Sequence, residues 1–142
     1  MATITFTPFN IFKLELAKGT HALDAHDIRM AICDATTVPT AATANPMLTT
    51  FTEVGSAGSY VSGGVALTMS LSESGGVVTI DATNSPSWAD HASNDTDAAY
   101  AIIYNNTDVS KKAIGFASLN GPVDMSAISL TLNPNVSGLI TL

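Results

Sequence analysis

The segment at residues 100–108, Tyr-Ala-Ile-Ile-Tyr-Asn-Asn-Thr-Asp, constrains the fold of this chain more than any other segment. Its apolar side chains fall on both faces of a predicted strand, with Tyr100, Ile102 and Tyr104 on one face and Ala101 and Ile103 on the other. Such a strand is typical of a sheet that is covered on both sides. The Asn105-Asn106 pair predicts a tight turn into a second strand at residues 113–117. We therefore predict that this hairpin forms the centre of the sheet.

Short apolar segments separated by turn residues recur along the rest of the chain. They predict further strands at residues 27–33, 48–54, 65–71, 77–82, 128–132 and 138–142. The segments 65–71 and 77–82 alternate between apolar and polar residues and are joined by Gly75-Gly76, which predicts a β-hairpin. Segments rich in Thr, Ala, Pro, Ser, Gly and Asn at residues 36–46, 55–64 and 84–97 predict loops and turns.

The N-terminal region predicts the single helix of the chain. Residues 1–7 alternate apolar residues with threonine and predict either a short strand or an extended arm. Thr7-Pro8 is a helix-start signal, and Lys18-Gly19 is a helix-stop signal. Between them Phe9, Phe12 and Leu16 recur at helical spacing. We therefore predict a helix at residues 8–18 that buries an aromatic stripe.

The count of predicted elements indicates the fold class. Eight or nine short strands accompany one early helix, and no helices alternate with the strands. The chain is predicted to be mainly β, as an antiparallel β-sandwich of the immunoglobulin-like or jelly-roll kind. With 142 residues and no internal repeat, it is predicted to form a single domain, residues 1–142.

The charge content excludes several classes of partner. The net charge is −7, and there are only five Lys and Arg residues, without a basic cluster. Binding to nucleic acid or to an anionic membrane surface is therefore not expected. The start of the chain lacks the pattern of a secretory signal, and Cys33 is the single cysteine. We expect synthesis in a reducing cytosol.

The acidic loop offers the first candidate for a chemical site. Asp90, Asp95 and Asp97 lie close to Asn94 and His91, and calcium prefers clustered carboxylate and amide oxygens. The spacing of an EF-hand is absent, since there is no central glycine and no closing glutamate. We expect a solvated polar loop here, with these three aspartates as the alternative metal ligands, and no cofactor.

A second candidate follows the predicted helix. His21, Asp24, His26 and Asp27 could bind zinc or polarise a nucleophile, but their spacing matches no closed zinc motif. A connecting loop with capping aspartates is the preferred interpretation. The sequence also lacks a nucleophile elbow and a phosphate-binding loop. We therefore predict no catalytic residues and a protein that is not an enzyme.

Several segments, taken in order, carry a resemblance to a known family. They are the helical segment 9–16 with residues 17–21, the strand 28–32, the loop 38–43, the glycine-rich segment 58–64, Ser87-Trp88, residues 100–108 and Ile114-Gly115. Their order and spacing resemble those of small virion structural proteins of tailed bacteriophages, the capsid decoration or cement proteins. The resemblance implies no substrate and no cofactor. It implies attachment to the major capsid protein at the virion surface, synthesis in the bacterial host cytoplasm, and self-association into a homo-oligomer, with a trimer favoured.

Composition and expected exposure suggest which residues make these contacts. We predict contacts with the capsid or a second copy at Thr3, Ile4, Thr5, Phe6, Val38, Pro39, Pro46 and Trp88. A tail or baseplate protein of the virion is an alternative. A third possibility is a carbohydrate-binding β-sandwich, which would use Trp88, Tyr60 and the acidic loop as its platform.

Overall fold

The computed structural model describes residues 2–133 and 139–142 of the chain. These residues contain one α-helix, α1 (Phe12–Ala17), and one 3₁₀ turn, Leu48–Thr50. They also contain eleven strands: β1 (Ala2–Thr3), β2 (Thr7–Pro8), β3 (Ile28–Cys33), β4 (Val65–Ala66), β5 (Met69–Ser74), β6 (Val77–Ala82), β7 (Ser87–Trp88), β8 (Ala98–Asn105), β9 (Ala113–Val123), β10 (Leu130–Asn133) and β11 (Ile140–Thr141).

The predicted central hairpin is confirmed. A five-stranded antiparallel sheet has the order β2-β9-β8-β3-β4, so that β8 is its middle strand and β9 is its hairpin partner. Ile102 of β8 lies opposite Ala31 of β3 and Phe116 of β9. The strongly apolar segment therefore takes the position where both edges of the strand are paired and both faces are covered.

The two faces of β8 belong to two separate hydrophobic clusters, as the alternation predicted. Ala101 and Ile103 lie in the larger cluster. Ile102 and Tyr104 lie in the smaller cluster, where Phe9 stacks on Phe51 with ring centroids 5.9 Å apart. Each face of the sheet is therefore sealed by apolar contacts, which stabilise the fold by roughly 1.5–3 kcal/mol for each fully buried large side chain.

Two small sheets contribute to the larger cluster. One has the order β11-β6-β5 and the other β1-β10-β7. Ile80, Ile140, Leu132 and Trp88 extend from them into the cluster that covers one face of the five-stranded sheet. Among the strands of the described residues, only β1 and β10 pair in parallel. The fold is thus mainly β, with antiparallel sheets and one short helix, as predicted. No helix within the described residues is both long and apolar enough to cross a membrane.

The predicted helix at residues 8–18 is wrong at its start. The helix begins only at Phe12, and Thr7–Pro8 instead forms β2, paired with Phe116 and Gly115 of β9. A side chain at position 115 would come within 2.9 Å of the Thr7 carbonyl oxygen. The glycine therefore permits a close approach of strands that outweighs the local helix-start signal. The predicted stop is confirmed, because Gly19 adopts a φ of +80° immediately after the helix.

The predicted strand at residues 48–54 is also wrong. Residues 48–50 form the 3₁₀ turn, and only Glu53 makes an isolated bridge, to Cys33. The Thr50 hydroxyl accepts a hydrogen bond from the Met47 backbone N–H at 3.1 Å, so a side chain competes with sheet pairing.

Three other strands differ in their bounds. The segment 65–71 is divided between β4 and β5, because Leu67 and Thr68 leave the sheet; its hairpin with β6 is confirmed. The segment 128–132 becomes a strand only at Leu130, and Ile128 is exposed. In the segment 138–142, Gly138 lies outside the described residues and the strand is β11.

Candidate functional site

The charged side chains are divided between two regions of the molecule. All five cations lie on or beside α1, at the start of β3, and in the turn between β8 and β9, namely Lys13, Lys18, Arg29, Lys111 and Lys112. Four carboxylates share this region, which we call the turn end: Glu15, Asp24, Asp27 and Asp108. Its formal charge is +1. The other eight carboxylates lie outside the turn end and carry a formal charge of −8, which together with the +1 of the turn end gives the net charge of −7.

Five of the nine charged side chains of the turn end form ion pairs with one another. The buried Glu15 carboxylate accepts hydrogen bonds from Lys112 Nζ at 2.8 Å, Lys18 Nζ at 3.2 Å and Thr20 Oγ1 at 2.7 Å. The hydrogen bond from Lys112 is the main reason why the pKa of Glu15 is lowered to about 2. Asp27 accepts a hydrogen bond from Arg29 Nε at 2.8 Å. These ion pairs reduce the charge that the turn end presents to a partner.

Asn105 holds the turn end together. Its side chain is fully buried, and its amide nitrogen lies 3.1 Å from the Thr20 carbonyl oxygen and 2.9 Å from His26 Nδ1. Its amide oxygen accepts hydrogen bonds from the backbone N–H groups of Thr107 and Asp108. The sequence indicated a turn residue at this position, and no sequence signal distinguished its buried bridging role.

The cluster of His21, Asp24, His26 and Asp27 lies in the connection between α1 and β3, as the preferred interpretation predicted. The structure brings His21 and His26 together around Asn105, whereas Asp27 is bonded to Arg29. His21 is buried against Phe12, with ring centroids 5.8 Å apart, and its Nε2 atom has no hydrogen-bond partner among the described residues. The imidazole of His21 is therefore held in an environment that favours its neutral form.

We expect the free energy of unfolding to fall through two windows as the pH is lowered. Burial lowers the pKa of His21 below 6.5, an effect that Lys112 and His26 reinforce and that Asp108 and Glu15 oppose. The unfolded chain therefore binds a proton first, and stability declines below about pH 6.5. The pKa of Glu15 falls from 4.5 to about 2 on folding. The stability from its ion pairs is therefore lost between these two values.

Urea unfolding measured across the pH range tests both windows. His21→Gln should reduce the pH dependence of the free energy of unfolding in the upper window, and Glu15→Gln should reduce it in the lower one. Both expectations hold whatever the effect of the substitution on absolute stability. His91→Gln, which removes an exposed histidine outside the turn end, is the matched control for the loss of an imidazole. An upper window that is the same in His21→Gln and in the parent chain would contradict the assignment.

Hydrogen bonds connect the acidic loop to the segments beside it. Asn94 is buried, and its amide nitrogen donates to the Met125 carbonyl oxygen at 3.0 Å, while its amide oxygen accepts from the Ser59 N–H at 2.8 Å. Asp95 accepts a hydrogen bond from the Gly55 N–H at 2.8 Å, and Asp90 accepts one from Ser129 Oγ at 2.8 Å. These side chains connect the loop to its neighbours.

The candidate metal ligands are not brought together. Asp90, Asp95 and Asp97 have separate surroundings, and the first two are bonded as described above. Throughout residues 2–133 and 139–142, no group of three or more His, Cys, Asp or Glu side chains is placed to hold a metal ion.

Five of the predicted contact residues are buried within the chain, so the exposure expected for them was wrong: Ile4, Phe6, Pro39, Pro46 and Trp88. Ile4 and Phe6 belong to the larger hydrophobic cluster because the apolar residues of the N-terminal segment turn inward, and Trp88 of β7 belongs to the same cluster. Thr5 and Val38 are exposed. The backbone of Thr3 lies in β1, opposite Asn133.

The platform of the predicted carbohydrate site is buried as well. Trp88 is 4% exposed and Tyr60 is 1% exposed, and the two rings pack against each other with centroids 5.9 Å apart. The Tyr60 hydroxyl donates to Glu53 Oε1 at 2.6 Å and accepts from the Ile32 N–H at 3.0 Å. Because neither ring face is available at the surface, this pair cannot stack on a sugar.

A cleft of about 500 Å³ lies at the end of the sheet opposite the turn end. Its lining includes Asp34, Asp97, Tyr100, Ser118 and Pro122. Cys33, Tyr100 and Ser118 lie side by side on β3, β8 and β9. Asp34 directly follows β3 and Asp97 directly precedes β8, so both carboxylates lie at this end of the sheet.

An irregularity in β9 shapes the cleft. Ser118 pairs with Tyr100 and Val123 pairs with Ala98, so β9 advances five residues where β8 advances two. The three extra residues include Asn120 and Gly121, which have φ angles of +63° and +111°. Such bulges bend a strand and redirect its side chains. The Asn120-Gly121-Pro122 triplet is the sequence signal that could have located this cleft, since all three residue types interrupt strands.

No family model matches the sequence, and neither the curated proteins nor the solved structures include a chain that matches it.

Proposed function

We propose that this chain is a non-enzymatic bacteriophage virion structural protein that decorates or cements the capsid. The proposal rests on the ordered resemblance of its segments to that family, together with the character of its turn end. In this proposal the protein acts at the capsid surface by binding the major capsid protein. It assembles with its own copies, and a trimer is the favoured state.

The observation that carries the proposal is the exposed Val109 in a turn that is held by hydrogen bonds. Val109 is 93% exposed at the tip of the connection between β8 and β9. The Asp108 carboxylate accepts hydrogen bonds from the backbone N–H groups of Ser110 at 3.1 Å and Lys112 at 3.2 Å. A rigid apolar tip loses little conformational entropy when it enters a pocket on a partner.

The charges around this tip suit a neutral contact. The turn end has a formal charge of +1, and Lys18, Arg29 and Lys112 are already paired within the chain. The core of a protein interface is depleted of charged residues because unpaired charges are costly to desolvate. Thr5 and Val38, which are exposed, remain predicted contact residues.

Co-sedimentation with purified capsids tests this function. We expect the chain to be retained on expanded capsids of the phage that encodes it, and Val109→Asp to weaken retention at least about tenfold, as for the loss of one interface anchor. Val61→Asp is the control, because Val61 is also exposed, in a different loop. Light scattering on the free chain would measure its oligomeric state.

The outcomes separate the alternatives. The absence of retention on every capsid form would contradict capsid decoration. Retention on purified tails instead would favour the tail or baseplate alternative.

A further inference from the structure

The cleft at residues 34, 97 and 100 combines an aromatic ring with two carboxylates. Tyr100 is half-buried at the cleft, between Cys33 and Ser118 in neighbouring strands. Asp34 Oδ1 accepts a hydrogen bond from the Thr36 N–H at 2.7 Å, which orients this carboxylate. The Asp97 carboxylate and the Tyr100 hydroxyl make no hydrogen bond within the described part of the chain. The cleft therefore offers free acceptors beside a ring.

The charge around the cleft has one sign. The eight carboxylates outside the turn end include both aspartates of the cleft, and Asp95 and Asp124 flank the strands that form it. All five cations lie on or beside α1, at the start of β3 or in the turn between β8 and β9. Fixed negative charge without a local counter-charge attracts a cationic group and lowers the cost of bringing it to the surface.

We propose that this cleft binds an arginine side chain of a partner protein. A guanidinium group is planar, so it can stack on the Tyr100 ring while its N–H groups donate to the carboxylates of Asp34 and Asp97. A cavity of about 500 Å³ is large enough for this side chain and its backbone. The cleft lies at the opposite end of the sheet from the turn end, and Val109 is not part of its lining.

The lining favours a cation over a neutral sugar. Sugar hydroxyls both donate and accept hydrogen bonds, and a binding site for them usually offers both kinds of partner. The cleft lining contains no Asn, Gln, Lys or Arg side chain. The hydroxyls of Thr36, Tyr100 and Ser118 can donate or accept, whereas the two carboxylates only accept and carry negative charge that a neutral sugar would leave uncompensated. A group that only donates, such as guanidinium, matches this balance better.

Binding of a short peptide with one arginine, capped at both ends, tests the proposal by NMR titration of the free protein. We expect shifts at residues 97–100 and 118–122. The same peptide with citrulline, which keeps the shape and removes the charge, should bind at least about tenfold more weakly. Raising the salt concentration should also weaken binding, because the charges of the cleft are screened.

A charge-matched pair of variants identifies the site. The double variant Asp34→Asn, Asp97→Asn should reduce the affinity for the arginine peptide at least about tenfold. The control double variant Glu73→Gln, Asp81→Asn removes two charges from the β5–β6 hairpin and should change this affinity less than about twofold. Equal losses in the two double variants would show attraction to net charge alone and overturn the proposal. The proposal would also be overturned if the arginine peptide did not bind. It would equally be overturned if a neutral oligosaccharide bound independently of salt and Tyr100→Ala abolished that binding.

Discussion

Gly64→Ala is expected to destabilise the protein by more than about 4 kcal/mol, or to prevent folding altogether. Gly64 has a φ of +71°, and a Cβ atom there would lie 1.9 Å from the Met30 carbonyl oxygen and 2.8 Å from the Ala31 Cα atom. Both are backbone atoms of β3, next to the central strand. They cannot move aside without breaking the pairing of β3 with β4 and β8.

Gly75→Ala is the matched control for this prediction. Gly75 also has a positive φ, +61°, but a Cβ atom there would meet nothing within 4 Å. It should cost only about 1 kcal/mol, as backbone strain alone does. Urea unfolding of both variants distinguishes the energetic cost of backbone strain from that of the steric clash. If Gly64→Ala does not fold, Gly63→Ala provides a graded measurement, since its Cβ would lie 3.3 Å from the Tyr104 hydroxyl. Similar losses of the free energy of unfolding in Gly64→Ala and Gly75→Ala would contradict the predicted steric clash at position 64.

Asn105→Ala is expected to destabilise the protein by about 3–5 kcal/mol. The substitution removes the acceptor of the Thr107 and Asp108 N–H groups and the donor to the Thr20 carbonyl oxygen. Each buried polar group left without a partner costs about 1–3 kcal/mol, and the losses within one network are not additive. His21 and His26 would lose their shared neighbour as well.

The neighbouring Asn106 supplies the control. Its half-buried side chain donates one hydrogen bond, to Asp27 at 2.8 Å. We expect Asn106→Ala to cost less than about 1.5 kcal/mol. Asn105→Asp keeps the acceptor for the turn but places a buried carboxylate against the Thr20 carbonyl oxygen, so at neutral pH it should cost at least as much as Asn105→Ala. Chemical denaturation of the three variants checks the order, and a loss at position 106 as large as at position 105 would contradict the bridging role.

Side-chain periodicity was sufficient for the strands that lie in the middle of the fold. The alternation at residues 100–104 predicted the two faces of β8, and the clusters on its two sides follow that alternation. The hairpin of β5 and β6 was also predicted, from alternation and the Gly75-Gly76 turn. These predictions succeed because successive side chains of a strand point to opposite faces, and this alternation is encoded in the local sequence.

Local signals were misleading where a distant segment competes for the backbone. Thr7-Pro8 has the composition of a helix start, yet it pairs with Gly115, more than a hundred residues away. The N-terminal apolar residues and Trp88 looked available for contacts, yet they fill the core between the sheets. The candidate metal ligands are close in sequence, and the fold turns their side chains to separate neighbours.

The sequence by itself determined that the chain is mainly β, that the segment 100–108 forms its central hairpin, and that few cations are available. These properties follow from composition and from spacing within about ten residues. Only the tertiary structure decided that Asn105 bridges the turn end, that Val109 stands exposed, and that Asp34, Asp97 and Tyr100 share a cleft. All three depend on which strands become neighbours, and the cleft depends in addition on the bulge in β9. Register between distant strands is set by the packing of the whole core.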